Sequence, residues 1–443
     1  MKTLKRVLAA LLVCAAPAAL GNPFELYGFT PRALGMGGAM TAIGDDLAAI
    51  GDDLAASFYN PGALLGHTKT GFGLGFADTF SNLYVDRARG ASTISTSQVQ
   101  NTPRFELGLI FPLGGKLLKD RVVLAIGGGH PVGSLIRVQT VDQSRPQFYL
   151  YQSKAQRFAL NAAVGIRIID GVSVGAGVQI TAEQLGKVNF KLDVASRQFI
   201  ARDITVDLNT VPTPTAGILI EPGDRVKIGF SWRKESQLYY QQPTTTDLGD
   251  VGALKLDVSG LAQYWPHVFS GAVSIKVTPR FLVAVQADYY LWNRAPNDQV
   301  HVTVTPSGAV LTALGLDALL KVASADAKMG FANILIPHLA AEYQAADWLA
   351  LRAGARVRPA VTPDQSGNTN YLDNFSESVS AGLTFRFTDP LQVFSDPISF
   401  DLGGQMIRAN QRTAKKLQTA DPTGSSTYGG ALFSFAAMLR YLY

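Results

Sequence analysis

Residues 157–168 read Arg-Phe-Ala-Leu-Asn-Ala-Ala-Val-Gly-Ile-Arg-Ile, and their alternation decides the fold. In an extended chain Phe158, Leu160, Ala162, Val164, Ile166 and Ile168 take one face. Arg157, Ala159, Asn161, Ala163, Gly165 and Arg167 take the other. The same two-residue period returns at 226–233, 349–358 and 378–387, each time with an apolar face opposed to a small or polar one. In 349–358 the second face carries Arg352, Gly354, Arg356 and Arg358. A strand that crosses a bilayer with lipid on one side and a lumen on the other needs this pattern over about 9–11 residues. A soluble β-sandwich alternates too, so length and connections must decide.

Working outward, the periodicity yields about fourteen strands, at 69–80, 102–112, 121–130, 147–168, 171–194, 199–221, 225–241, 252–276, 280–304, 335–344, 348–360, 376–387, 398–411 and 428–443. Connections after even strands are mostly tight: Asp170-Gly171, Pro222-Gly223-Asp224, Thr278-Pro279 and Ala345-Ala346-Asp347, with moderate links at 113–120 and 388–397. Those after odd strands are mostly long and polar, at 81–101, 131–146, 305–334, 361–375 and 412–427. Short turns on one rim and long loops on the other are the signature of an outer-membrane barrel. The even count returns both chain ends to the short-turn rim. The last strand sets Phe433, Phe435, Ala437, Leu439, Tyr441 and Tyr443 on one face and stops at an aromatic, as expected of a chain read by the barrel assembly machinery. Tyr289, Tyr290, Trp292, Trp348, Tyr441 and Tyr443 are expected in interfacial girdles. Within loop 305–334, Leu311 to Val322 has helical apolar spacing, as a lid-like external helix or a packed loop helix.

The start of the chain points to export. Lys2, Lys5 and Arg6 precede an apolar run from Val7 to Leu20, and Ala19-Leu20-Gly21 fits a small-x-small cleavage site. Residues 1–21 therefore read as a signal peptide leaving Asn22 first, with an uncleaved anchor as the alternative. The run is short for a membrane span. The only cysteine, Cys14, lies within it, so no disulfide or cysteine metal site is expected beyond it. Losing three cations lowers the net charge from +5 to +2 (5 − 3), which offers nothing to nucleic acid. No later apolar run reaches about 18 residues, so no helix is expected to span a membrane.

Residues 22–68 do not read as strands. They are rich in Gly, Ala, Asp and Leu, yet carry Phe24, Leu26, Tyr27, Phe29, Leu34, Met36, Phe58, Tyr59, Leu64 and Leu65. A disordered tail would be more charged and less apolar, so this segment is expected to fold as a lumen plug of short helices rather than hang in the periplasm. The heptad Ile-Gly-Asp-Asp-Leu-Ala-Ala occurs twice in tandem, at 43–49 and 50–56. Its aspartates Asp45, Asp46, Asp52 and Asp53 form either a solvated face or a cation site; no metal is expected.

Ala33-Leu34-Gly35-Met36-Gly37-Gly38-Ala39, then Asp52-Asp53, then Phe58-Tyr59-Asn60-Pro61-Gly62-Ala63-Leu64 resemble the N-terminal hatch signature of the FadL family, outer-membrane transporters of long-chain fatty acids and aromatic hydrocarbons. Tyr289-Tyr290-Leu291-Trp292-Asn293, Ile336-Pro337 through Glu342-Tyr343 to Leu351-Arg352-Ala353-Gly354, and Asn370 to Asp373 resemble later stretches of the same family in the same order. Where the family usually has Asn-Pro-Ala, Gly62 replaces the alanine. The resemblance implies an all-β fold, a transmembrane antiparallel β-barrel of about fourteen strands with a helical hatch at 22–68 and the barrel at 69–443, in the outer membrane of a Gram-negative bacterium. It implies capture of a hydrophobic small molecule at the external loops, binding in the lumen, and exit through the barrel wall, with lipopolysaccharide and outer-membrane lipid as surroundings.

The hatch-motif residues are then Gly35, Gly37, Gly38, Asn60, Pro61 and Gly62. A wall exit needs a strand that leaves its ladder. Gly127, Gly128 and Gly129 weaken strand three and Pro131 cannot donate to it, which predicts a kink there, the alternative being a strand that tapers into loop 131–146. Family members carry their kink in strand three. Inward arginines Arg157, Arg167, Arg352, Arg356 and Arg358 are candidates for holding a carboxylate, or are neutralised structurally by Glu342 or Asp288. The five histidines, His67, His130, His267, His301 and His338, fall in no His-Glu-x-x-His arrangement, and no phosphate loop is present, so no catalysis and no cofactor are expected. A monomer is expected. The alternative function is a plugged barrel that serves a secretion or assembly system by binding a partner protein.

Overall fold

A computed structural model describes residues 23–442 apart from 45–53, 67–68, 88–98, 115–117, 119–120, 134–145, 152–158, 194–197, 297–299, 316–321, 324–328, 365–368, 391–395 and 417–423. The proposed signal segment, the four hatch aspartates and Arg157 lie outside the described residues.

The strands in chain order are β1 (Gly71–Arg87), β2 (Arg104–Pro112), β3 (Val122–Pro131), β4 (Gln147–Phe148), β5 (Ala159–Ile169), β6 (Val172–Asp193), β7 (Gln198–Gly223), β8 (Val226–Arg233), β9 (Ser236–Asp247), β10 (Ala253–Trp265), β11 (Val268–Thr278), β12 (Phe281–Tyr290), β13 (Val300–Ser307), β14 (Val322–Ala323), β15 (Ile334–Ala346), β16 (Leu349–Arg358), β17 (Tyr371–Leu372), β18 (Ser376–Phe387), β19 (Ile398–Ala414) and β20 (Ser426–Leu442). Fourteen of them form the wall: β1, β2, β3, β5, β6, β7, β8, β11, β12, β15, β16, β18, β19 and β20, each antiparallel to its neighbours. β20 closes on β1 in continuous register from Gly71↔Leu442 to Arg87↔Ser426. Closure leaves no ladder edge facing lipid, where an unpaired backbone group has no substitute partner. The pairing of Gly71 with Leu442 puts both ends of the wall on the rim of the tight turns, such as Asp170-Gly171 between Ile169 and Val172.

The alternation holds face by face. Leu74, Phe105, Phe230, Val285, Leu339 and Val379 point outward and are exposed, as lipid-facing residues should be. Asn161, Ser173, Gln286, Glu342 and Arg352 point inward and are buried. Two of the residues expected in the aromatic girdle are inside instead. Tyr289 faces outward, so Tyr290 must face the lumen, and Trp292 follows on a turn (Trp292–Arg294) folded over it; both are buried.

Three long strands of the sequence reading divide. The stretches 225–241, 252–276 and 280–304 break near 234–235, 266–267 and 291–296, and only their lower parts, β8, β11 and β12, remain in the wall. Pro266 cannot donate to a ladder, which suits the second break. The upper parts, β9, β10 and β13, pair with one another and with β14. The far end of β6 joins them by a parallel pairing to β9, from Gln184↔Tyr240 to Lys191↔Asp247. The stretch 147–168 also divides, because β4 leaves the wall and pairs in parallel with β17. The helix expected within 311–322 is one turn, Ala309–Ala313, and 316–321 lies outside the described residues.

Candidate functional site

Inside the wall, residues 23–44 and 54–66 form short helices α1 (Pro23–Tyr27), α2 (Pro31–Gly35) and α3 (Ala56–Tyr59) and a 3₁₀ turn at Pro61–Gly66, almost wholly buried. Helices this short are not stable alone. They stand because they meet the wall around its circumference. Gly175, Gly217, Gly229, Gly354 and Gly403 face inward, and a β-carbon on each would collide with the backbone of Pro61, the side chain of Asn60, or the backbones of Thr41, Met36 and Pro31 respectively. The wall glycines are sockets for hatch main chain.

The hatch motif is explained by the same contacts. The Asn60 side-chain amide donates to the carbonyls of Thr41 (2.6 Å) and Ile218 (3.1 Å), while its oxygen accepts from the Gly62 N–H at 2.9 Å. Gly62 lies on β7, and a β-carbon there would stand 2.9 Å from the Ile218 Cα and 3.0 Å from the Gly217 carbonyl carbon. Gly35 rests on Gly382 in the same way. Gly37 and Gly38 adopt φ of 59° and 82°, which side-chain-bearing residues rarely tolerate, and the Gly37 carbonyl accepts from His338 Nδ1 at 2.7 Å.

Charged pins add to this packing. Arg32 of the hatch donates Nε and Nη2 to the two oxygens of Glu342 at 2.9 and 2.8 Å. Arg352 shares that carboxylate and reaches the Thr384 hydroxyl at 2.7 Å; Thr384 and Arg440 both bond Asp401. Arg233 pairs with Glu25 at 2.7 Å, donates to the Phe58 carbonyl at 3.0 Å and lies over the Phe58 ring. Burial pushes the Glu25 carboxyl above its ordinary value, and the Arg233 guanidinium pulls against that.

Above the hatch lies a narrow pocket with about 30 Å³ of free space, lined by Leu26, Leu150, Trp265, Tyr290, Trp292, Ile334, Ile336 and Ile407, with Glu25, Arg356 and Arg358 among its polar groups. A polar space of about 20 Å³ shares Glu25, Tyr290 and Arg356 with it and adds Asp288, Gln286 and His338. Apolar walls with a few fixed polar groups suit a small hydrophobic ligand in kind, and at this size the side chains must part to admit one. The aromatics continue upward from the pocket: Trp292 stacks edge-on with Trp265, Tyr264, Tyr149 and Phe331 at centroid distances of 5.7, 5.8, 6.0 and 6.0 Å.

The arginines expected to hold a carboxylate separate by what they touch. Arg352 is committed to Glu342, as the structural alternative had it. Arg358 makes two bonds to Asp373 at 2.9 and 2.6 Å and one to the Tyr151 hydroxyl at 3.0 Å. Arg167 is half-buried and donates to the Leu65 carbonyl at 3.3 Å, far from the pocket. Arg356 donates to the carbonyls of Glu25 (3.1 Å) and Leu26 (2.6 Å) and to Gln405 at 3.3 Å, so it lines the pocket bonded to neutral acceptors. Asp288 takes His338 at 3.0 Å instead of an arginine.

The glycines of β3 serve the hatch. Gly127 and Gly129 face inward, where β-carbons would strike Phe29, Ser57 and Phe24, and Gly128 faces outward. Both ladders of β3 pass through all three without a register shift, so no bulge interrupts the glycine run. The strand ends at Pro131. Gly171-Val172-Ser173-Val174-Gly175 matches a hydrolase nucleophile pattern, yet it lies at a strand start, and the Ser173 hydroxyl donates to the Gly62 carbonyl at 2.8 Å.

Sequence reasoning missed Arg32, Glu25, Arg233, Trp265 and the inward sides of Tyr290 and Trp292. Strict alternation from Tyr289 would have found Tyr290, and the alternation in 226–233 already sets Arg233 on the inner face without naming its partner; nothing local marks the others.

A family model described as outer membrane protein transport protein (OMPP1/FadL/TodX) matches residues 12–431. Alkane uptake protein A of Marinobacter nauticus is 22% identical over 455 aligned residues, covering 97% of this chain and 93% of that protein. Among solved structures, a Pseudomonas aeruginosa FadL homologue superposes with a TM-score of 0.60 at 13% identity, covering 93% of this chain and 98% of the other. The P. putida toluene transporter TodX gives 0.54 at 13% identity, covering 91% and 99%. At these identities the structures attest the fold.

Proposed function

Because the chain belongs to the FadL/TodX family of outer-membrane transport proteins, we propose that it carries small hydrophobic molecules, fatty acids or hydrocarbons, from the cell exterior through its lumen and out sideways into the membrane. The observation that carries this reading is the narrow aromatic-lined pocket held directly above a tightly seated hatch. An open diffusion pore needs a continuous aqueous lumen, whereas here buried side chains of residues 24–44 and 54–66 occupy it. The name of the Marinobacter relative, an alkane uptake protein, supports a hydrocarbon as cargo. Arg356, bonded to neutral acceptors at the pocket wall, is the group suited to meet a carboxylate if a fatty acid enters.

We assign the lateral exit to the end of β3, where Pro131 has no backbone N–H to give to a ladder. Removal of residues 1–21 on export, assembly by the barrel machinery, a monomeric barrel among lipopolysaccharide and lipid, and an N-terminus on the periplasmic side belong to the same proposal. Growth of a deletion strain on hexadecane or oleate as sole carbon source, with and without the gene restored, tests it. Equal growth of the two strains on both substrates would remove the transport reading. Large steady conductance of the purified protein in a planar bilayer would replace it with a porin.

A further inference from the structure

The pocket has a roof, and the roof is a strap. Residues 147–151 belong to the connection between β3 and β5, yet their partners stand on the opposite wall. In barrel order, Arg358 at the end of β16 is seven strands from β5, half of the fourteen-strand circumference. The strap reaches it all the same, because the Tyr151 hydroxyl accepts from Arg358 Nη2 at 3.0 Å. On the way Tyr149 packs on Phe331 and Tyr371, with ring centroids 4.7 and 5.6 Å apart, and Phe148 packs on Tyr428 at 6.1 Å. All five strap residues are buried, and Leu150 and Tyr151 line the pocket below. The segment therefore crosses the external mouth.

Its backbone tie is short compared with the ladders of the wall. The strap donates two backbone hydrogen bonds to the segment bearing β17, Gln147 N to the Asn370 carbonyl at 3.0 Å and Tyr149 N to the Leu372 carbonyl at 3.1 Å. A ladder of two residues per strand is not self-supporting. That segment is itself fastened by Asp373, whose carboxylate receives Arg358 and the Val361 N–H at 2.7 Å. Strap and anchor thus meet on one guanidinium. Arg358, a candidate ligand for substrate in the sequence, has its donors committed to this junction.

We propose that residues 147–151 are a gate across the external mouth, latched by Arg358, Asp373 and Tyr151, and that cargo reaches the pocket only when the strap parts from residues 370–372. The proposal rests on the transport reading above and adds the moving part. The polar latch ties the strap's last residue to the wall, while its aromatic face offers a hydrophobic molecule a surface to displace. An apolar arrival competes for the contacts of Phe148 and Tyr149 but has nothing to offer Arg358 and Asp373, so the latch recloses behind it.

The test locks the gate. Phe148 and Leu372 are register partners in adjacent strands, whose spacing of about 5 Å lies in the range a disulfide spans. Phe148→Cys/Leu372→Cys is made in the full chain, whose only natural cysteine is Cys14. Uptake of radiolabelled hexadecane and radiolabelled oleate is then measured in cells, oxidised and after reduction, with the crosslink scored by thiol labelling. The expected result is a loss of at least tenfold for the oxidised variant and recovery to the wild-type rate on reduction. Full uptake by the verified disulfide form would overturn the gate. If the reduced variant assembles poorly, Gln147→Cys/Tyr371→Cys, the neighbouring register pair, carries the same test. If wild-type protein moves neither probe, transport itself fails and the gate with it, an outcome separable from uptake that merely ignores the lock.

Discussion

Glu342→Gln is the sharpest perturbation of the hatch. One buried carboxylate serves two arginines, Arg32 from the hatch and Arg352 from the wall. Substituting the amide keeps the shape but leaves both cations buried, Arg32 at 2% exposure and Arg352 at 5%. Removing one member of a buried pair costs about 3–5 kcal/mol, chiefly because the remaining charge is stranded. Arg352 keeps Thr384 at 2.7 Å and Asp401 at 3.8 Å, so most of the cost falls on Arg32, and the lower end of that range applies. The wall ladders are untouched, so the penalty is borne by docking of α2. About 3 kcal/mol shifts a docked-to-undocked ratio by about a hundredfold. Single-channel recording in planar bilayers should show openings in Glu342→Gln that the wild type lacks. Arg32→Leu combined with Glu342→Gln should cost less than the two singles together, by about 1 kcal/mol or more, since one stranded charge is gone. Wild-type conductance and heat resistance in Glu342→Gln would refute the pin.

Asn60→Asp should damage the hatch more than an isosteric change suggests, because it turns a donor to two carbonyls into an acceptor facing them; about 1–3 kcal/mol per orphaned buried group is expected, read as earlier heat modification on gels. Gly62→Ala should lose about 1–3 kcal/mol from the collision with β7, and undiminished heat resistance would count against the close contact. Arg356→Leu should lower oleate uptake about tenfold more than hexadecane uptake, and equal losses would show that the cation only anchors the hatch. Pro131→Ala, which restores a backbone donor at the end of β3, should slow uptake without changing conductance if cargo leaves at that point; unchanged uptake would argue against a lateral exit there.

The amino-acid sequence by itself determined the barrel. Lipid on one side and lumen on the other impose a period of two, and the alternation in 157–168 or 378–387 records it without help from distant residues. Tight turns and long loops, also local, set the count of strands and the rim of each end. Recognition of the hatch motif was local too, since Asn60-Pro61-Gly62 is one turn held by its own side chain.

Tertiary structure alone decided what fills the lumen. Gly127 and Gly129 read as weakness in a strand until Phe24 and Phe29 occupy the space they leave. The arginines look alike in sequence, and for the four described ones only their partners, Glu342, Asp373 or a hatch carbonyl, distinguish a pin from a latch from a pocket wall. The partners that β9, β10 and β13 find after leaving the wall, among them the far end of β6, are likewise remote in the chain. Alternation reports which side a residue faces. It carries no information about which segment, far away in sequence, will be there to meet it.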